Sequence, residues 1–106
     1  MILDKSFGAV MMEGKQMEPT ILQNDTVYLA DHPLSDDLYG HIVAFSPDSE
    51  QILIGRLWPQ NDGLFTLTVD NPEYQAIFDL PANKLIGECI GITRIHVEAV
   101  DICENM

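Results

Sequence analysis

Short apolar runs, each followed by a turn signal, recur about every ten residues along the chain, which is the pattern of a β-rich domain. Residues 7–12 read as a strand that ends at Gly14. Residues 26–30 (TVYLA) alternate and are closed by Asp-His-Pro. Residues 41–45 (HIVAF) follow SDDLYG and stop at SPDSE, and residues 51–57 (QILIGRL) run into WPQNDG, whose Asn-Asp-Gly is good turn chemistry. In residues 64–69 (LFTLTV), Leu64, Thr66 and Thr68 share one face and Phe65, Leu67 and Val69 the other. Residues 85–102 are rich in Ile and Val and lack Pro, so one or two further strands are expected there. Helical signals are confined to a single turn at residues 19–22, started by Pro19. No long stretch repeats at 3.6 residues, which excludes a helix-turn-helix and a coiled coil. The fold class expected is mainly β, with at most short helical turns.

A length of 106 residues fits one domain, and at 46% apolar residues it has enough material for a core. No apolar run approaches the ~20 residues that span a bilayer. Asp4 and Lys5 interrupt the start, so neither a membrane helix nor a signal peptide is expected. Charge narrows the choice of partner. The net −12 comes from 17 acidic residues against Lys5, Lys15, Arg56, Lys84 and Arg94, and such a surface repels phosphate, because nucleic-acid affinity rests on Lys and Arg displacing counterions. Direct nucleic-acid binding is therefore not expected; the charge serves solubility or, alternatively, a basic partner. Cys89 and Cys103 form no CxxC pair, and His32, His41 and His96 are scattered. That pattern is neither a disulfide framework nor a zinc site, so the expectation is a reducing cytoplasm with no metal and no cofactor.

The order of motifs carries more than any one of them. GKQMEPTI (residues 14–21) is followed by NDTVYLAD, YGHIVAF, ILIGRL, VDNPEYQAI and LIGECIGITRI. This succession resembles the carboxy-terminal domain of LexA-type and phage repressors, the S24 peptidase family, with its G-D-S-M-x-P-T, G-D-x-V-x-V, G-D-I-V, V-K-R-L, S-D-N-P-x-Y and I-G-x-V. The similarity spans residues 7 to about 95. It implies a complex of twisted antiparallel sheets forming a partly open barrel, in which Gly14, Met17, Pro19 and Thr20 shape the nucleophile turn.

In that family a serine attacks a peptide bond and a lysine acts as its base. A serine hydroxyl is a poor nucleophile at neutral pH until a neighbour takes its proton, and a lysine does so only when burial lowers its pKa. Carried over by position, the serine falls on Gln16 and the lysine on Gly55. A glutamine amide neither attacks nor stores an acyl group, and glycine has no side chain. Lys15, His41, Ser46 and Ser49 read as surface or turn residues rather than substitutes. The expectation is a pseudo-peptidase without catalytic residues.

Only fifteen residues precede Gln16, so a single domain lacking a DNA-binding domain and a cleavage segment is expected. The resemblance also implies dimerisation through the final strands. Ile90, Ile92, Arg94, Ile95 and Val97 are the candidates, with Arg94 reaching a carboxylate of another chain; the competing assignment puts these isoleucines in the monomer core. The leading functional reading is an inactive S24-like module that forms homodimers, or heterodimers with a repressor-like protein, in phage, mobile-element or SOS-like transcriptional regulation. One rival is an active or self-processing hydrolase with an unrecognised nucleophile. The other is an acidic DNA mimic in which Asp36, Asp37, Asp48 and Glu50 stand in for phosphates.

Overall fold

The computed structural model describes residues 7–95. Among the described residues seven strands make one antiparallel sheet: β1 (Phe7–Met11), β2 (Thr26–Ala30), β3 (Ile42–Asp48), β4 (Gln51–Pro59), β5 (Phe65–Thr68), β6 (Ile77–Leu80) and β7 (Leu85–Thr93). Their order across the sheet is β1-β2-β7-β3-β4-β5-β6. The chain thus lays β3 to β6 down as a meander and returns β7 to the middle, between β2 and β3. Helical structure among the described residues is limited to two 3-10 turns, Asp36–Leu38 and Ala82–Lys84. The mainly β class is as expected from the alternation of apolar runs and turns, and the sheet is a single open one. Among the described residues no helix is long and apolar enough to cross a membrane.

Side chains alternate across a strand, and the register divides the core accordingly. Val43, opposite Gly55, and Ala44, opposite Ile54, are adjacent in β3 yet enter different clusters. The first cluster gathers Met12, Val27, Leu29, Ala44 and Ile54 under Met17 and Ile21. The second gathers Val43, Phe45, Leu57, Leu67 and Leu80 under Leu38, which the first 3-10 turn supplies. Met17, Ile21 and Leu38 are almost wholly buried, and complete burial of such a side chain stabilises by about 1.5–3 kcal/mol. The segment with Met17 and Ile21 therefore covers one core as well as shaping a turn.

The strand β6 has no counterpart in the sequence reading. Its four residues follow NPEYQA and precede Pro81, and Phe78 is exposed on it, so neither length nor alternation marks it. Residues 19–22 form no helix but part of a hydrogen-bonded turn, with Thr20 and Ile21 N–H both donating to the Met17 carbonyl at 2.8 and 2.9 Å.

Candidate functional site

Gly14 opens the motif turn in the left-handed region, φ 94°, where a side chain is strained. A Cβ there would also collide with Gln16 Oε1, so the glycine admits both the turn and the folded-back glutamine. The turn is then anchored from three directions. Asn71 donates its backbone N–H to the Gln16 carbonyl and its side-chain amide to the Lys15 carbonyl, both at 2.9 Å. Thr20 Oγ1 donates to Asp70 Oδ2 at 2.5 Å. Arg56 of β4 grips the same carboxylate with Nε and Nη2, at 2.9 and 3.0 Å, and gives Nη1 to the Gly40 carbonyl at 3.0 Å.

Three separated motifs, the turn, IGRL and VDNP, are thereby tied through Asp70. The Arg56 guanidinium, then the Thr20 hydroxyl, hold the Asp70 carboxyl below its ordinary pKa. Replacing this half-buried acceptor, Asp70→Ala, is expected to lower stability by about 1–2 kcal/mol, read as a lower urea midpoint with an unchanged m-value. An unchanged midpoint would show that the turn does not depend on this link.

On its other side the turn meets Asp25, 1% exposed. Asp25 Oδ2 accepts from Leu22 N–H at 2.8 Å, and its two oxygens receive Nε and Nη2 of Arg94, each at 2.8 Å. Arg94 is thus committed within the chain, whereas the sequence reading had assigned it to a carboxylate of another chain. Arg94, followed by the Leu22 N–H, keeps the Asp25 pKa below its ordinary value against the opposing effect of burial.

Gln16 borders a cleft of about 320 Å³ together with Val10–Glu13, Glu50, Ile52–Ile54 and Ile77. Its Oε1 is buried and has no hydrogen-bond partner among the described residues. Gly55 is not among the lining residues. The regular pairing of Ile42–Phe45 with Leu53–Arg56 puts it on the face of Val43 and Leu57. A Cβ on Gly55 would lie 2.8 Å from the Thr68 carbonyl oxygen and 3.0 Å from Leu67 Cβ, so the close approach of β4 and β5 leaves no room for a side chain. The two positions carried over from the family's dyad are therefore not brought onto one site: Gln16 faces the cleft and Gly55 the second core.

The other sequence candidates are spread out. Ile92 packs against the first cluster, while Ile90 and Ile95 are 55% and 86% exposed; Val97 lies outside the described residues. Ile92 therefore belongs to the monomer core, while Ile90 and Ile95 lie on the surface. Asp36 and Asp37 are exposed in the first 3-10 turn, and Asp48 and Glu50 are exposed where β3 passes into β4. His41 is exposed and meets Glu88 at 2.8 Å. Cys89 is free and half-buried, its pKa raised by that burial. Asp25 and Asp70 escaped the sequence reading as organising residues, because each lies in a motif whose apolar positions dominate and each finds its arginine only in the folded chain.

No protein-family model matches the chain, and no curated protein matches it.

Proposed function

We propose that the chain is a non-cleaving scaffold of the LexA and phage-repressor type, a pseudo-peptidase that acts by protein contact in transcriptional regulation within the cytoplasm. The observation that carries this reading is the fate of the motif turn. Its Gly14, Met17 and Thr20 serve conformation, core and anchoring, while the nucleophile position holds Gln16 and the base position is closed against any side chain. A scaffold retained without its chemistry fits a role in assembly. Ile90 and Ile95, exposed around the open Gly91, supply apolar area for a contact with a second copy or with a repressor-like domain.

Sedimentation equilibrium tests it. The expected result is a two-chain mass for the unaltered protein and at least a tenfold weaker association for Ile90→Glu, a change at an exposed position that leaves the core intact. A monomer at every concentration, together with no mixed complex when a LexA-type repressor domain is added, would overturn the assembly role.

A further inference from the structure

At the edge of the sheet, β6 breaks the alternation of a regular strand. Ile77 and Leu80 both pack on the second core cluster although they are three residues apart, and a regular strand would put such positions on opposite faces. A bulge reconciles the two. β5 and β6 pair at Phe65 with Leu80 and at Leu67 with Ile77, so Thr66 alone is faced by two residues, Phe78 and Asp79. Asp79 absorbs the extra residue in the left-handed region, φ 65°, a strained conformation that aspartate and asparagine tolerate better than most side chains. An aromatic ring, 63% exposed, and an exposed carboxylate thereby stand side by side, turned away from the core.

Gln60 fastens this pair to the hairpin between β4 and β5. Its Oε1 accepts from Thr66 Oγ1 at 2.9 Å and from the Asp79 N–H at 2.8 Å, while its Nε2 donates to Asp79 Oδ1 at 3.0 Å and to Asp62 Oδ1 at 3.5 Å. Two carboxylates thus converge on one fully used amide. Asp62 and Gln60 line an open hollow of about 430 Å³ with Pro59, Asn61, Thr66 and Phe78. Among the described residues neither Asp62 nor Asp79 meets a cation, whereas Asp25 and Asp70 each hold an arginine.

We propose that this hollow receives an arginine side chain of a partner protein, its guanidinium stacked on Phe78 and donating to the free Oδ2 atoms of Asp62 and Asp79. A planar, permanently charged group with donors in its own plane suits a ring flanked by fixed acceptors. A lysine ammonium, a hydrated point charge, gains less from the ring. The net charge of −12 draws a cation toward the surface, and no lysine or arginine lines the hollow to repel it. The chain's own two arginines, Arg56 and Arg94, are already held by Asp70 and Asp25. A second copy has the same two, so the arginine belongs to a different protein. The site needs neither the family reading nor the contact at Ile90 and Ile95, since β3, β4 and β5 lie between β6 and β7.

The probes are three blocked pentapeptides, Gly-Ser-Xaa-Ser-Gly, with arginine, lysine or citrulline at the centre; citrulline keeps the planar shape and loses the charge. Each is titrated into isotope-labelled protein and followed by amide shifts. The arginine peptide is expected to move amides at residues 60–66 and at Phe78 and Asp79, and to bind about fivefold more tightly than the lysine peptide. The citrulline peptide is expected to cause no shift there. Phe78→Leu removes the ring at an exposed position, and Asp79→Asn removes one charge while keeping a residue suited to the left-handed region. Each is expected to weaken arginine binding about fivefold. Equal binding of the arginine and lysine peptides would reduce the hollow to unspecific negative charge and overturn the proposal. So would a citrulline peptide that binds as well as arginine, an unaltered affinity in both variants, or no shift at the hollow. The peptide comparison uses the unaltered protein, so it decides the matter even where a variant fails to fold.

Discussion

Installing a serine and a lysine at the two positions that the resemblance marks, Gln16→Ser together with Gly55→Lys, is expected to give a protein that is largely unfolded and cleaves nothing. The first change is mild, because Gln16 stands at the edge of a cleft and its Oε1 makes no hydrogen bond that would be lost. The second is severe. The Thr68 carbonyl 2.8 Å from a new Cβ is backbone, so β4 and β5 must separate to admit even a methyl group. Overpacking of this kind costs about 1–3 kcal/mol. The rest of a lysine would then push an amine in among Val43, Leu57 and Leu67, where burial disfavours the charged form and adds several kcal/mol more. Against a typical stability of about 5–15 kcal/mol, little would remain.

Gly55→Ala isolates the steric part. On propensity alone alanine is the better strand residue, so a stabilised variant would refute the crowding, and a loss of about 1–3 kcal/mol would support it. Thermal melts of the single and double variants, with a peptide-cleavage assay on whatever remains folded, decide the matter. A folded, cleaving double variant would show that position 55 faces Gln16 after all, and would make two substitutions the whole distance between this chain and a peptidase.

How far such a conclusion was readable beforehand differs from residue to residue. The strands β1 to β5 and β7 are written in local alternation, so TVYLA emerged with its observed bounds. β6 was not, because four residues before a proline carry too little pattern, and the strand exists only through its pairing with β5. At the site, Gln16 and Gly55 were legible as departures from a motif. The face on which Gly55 lies was not, since register is set by the partner strand and one residue of slip reverses every side chain. Met17 and Ile21 read as turn residues but proved to be core, a role that depends on the sheet beneath them. Arg94 was visible as a rare cation; that its carboxylate stands 69 positions away in the same chain is a product of topology, which brings the end of β7 beside the start of β2.

That ion pair leads to the second large effect. Asp25→Ala is expected to lower stability by about 2–3 kcal/mol, because it leaves the Leu22 N–H without its acceptor and removes both hydrogen bonds made by Arg94. For a domain of this size the melting temperature falls by roughly 10–20 °C. The same contacts fix the sign of the acid response. Asp25 and Asp70 both have depressed pKa values in the folded chain, against about 3.9 when unfolded. In the interval between those values the unfolded chain binds more protons, so stability rises with pH there. The contribution is complete above the unfolded value and is lost as pH falls below about 4 toward the folded values.

Asp25→Asn keeps an oxygen for Leu22 but cannot titrate. Its urea midpoint, measured from neutrality down through the carboxylate range, is expected to start lower than that of the unaltered protein and to fall less steeply in acid. Parallel curves would mean that the Arg94 pair contributes nothing beyond packing. Converging curves would mean that a buried carboxylate, and not apolar area alone, fastens the final strand to the turn that Gln16 occupies.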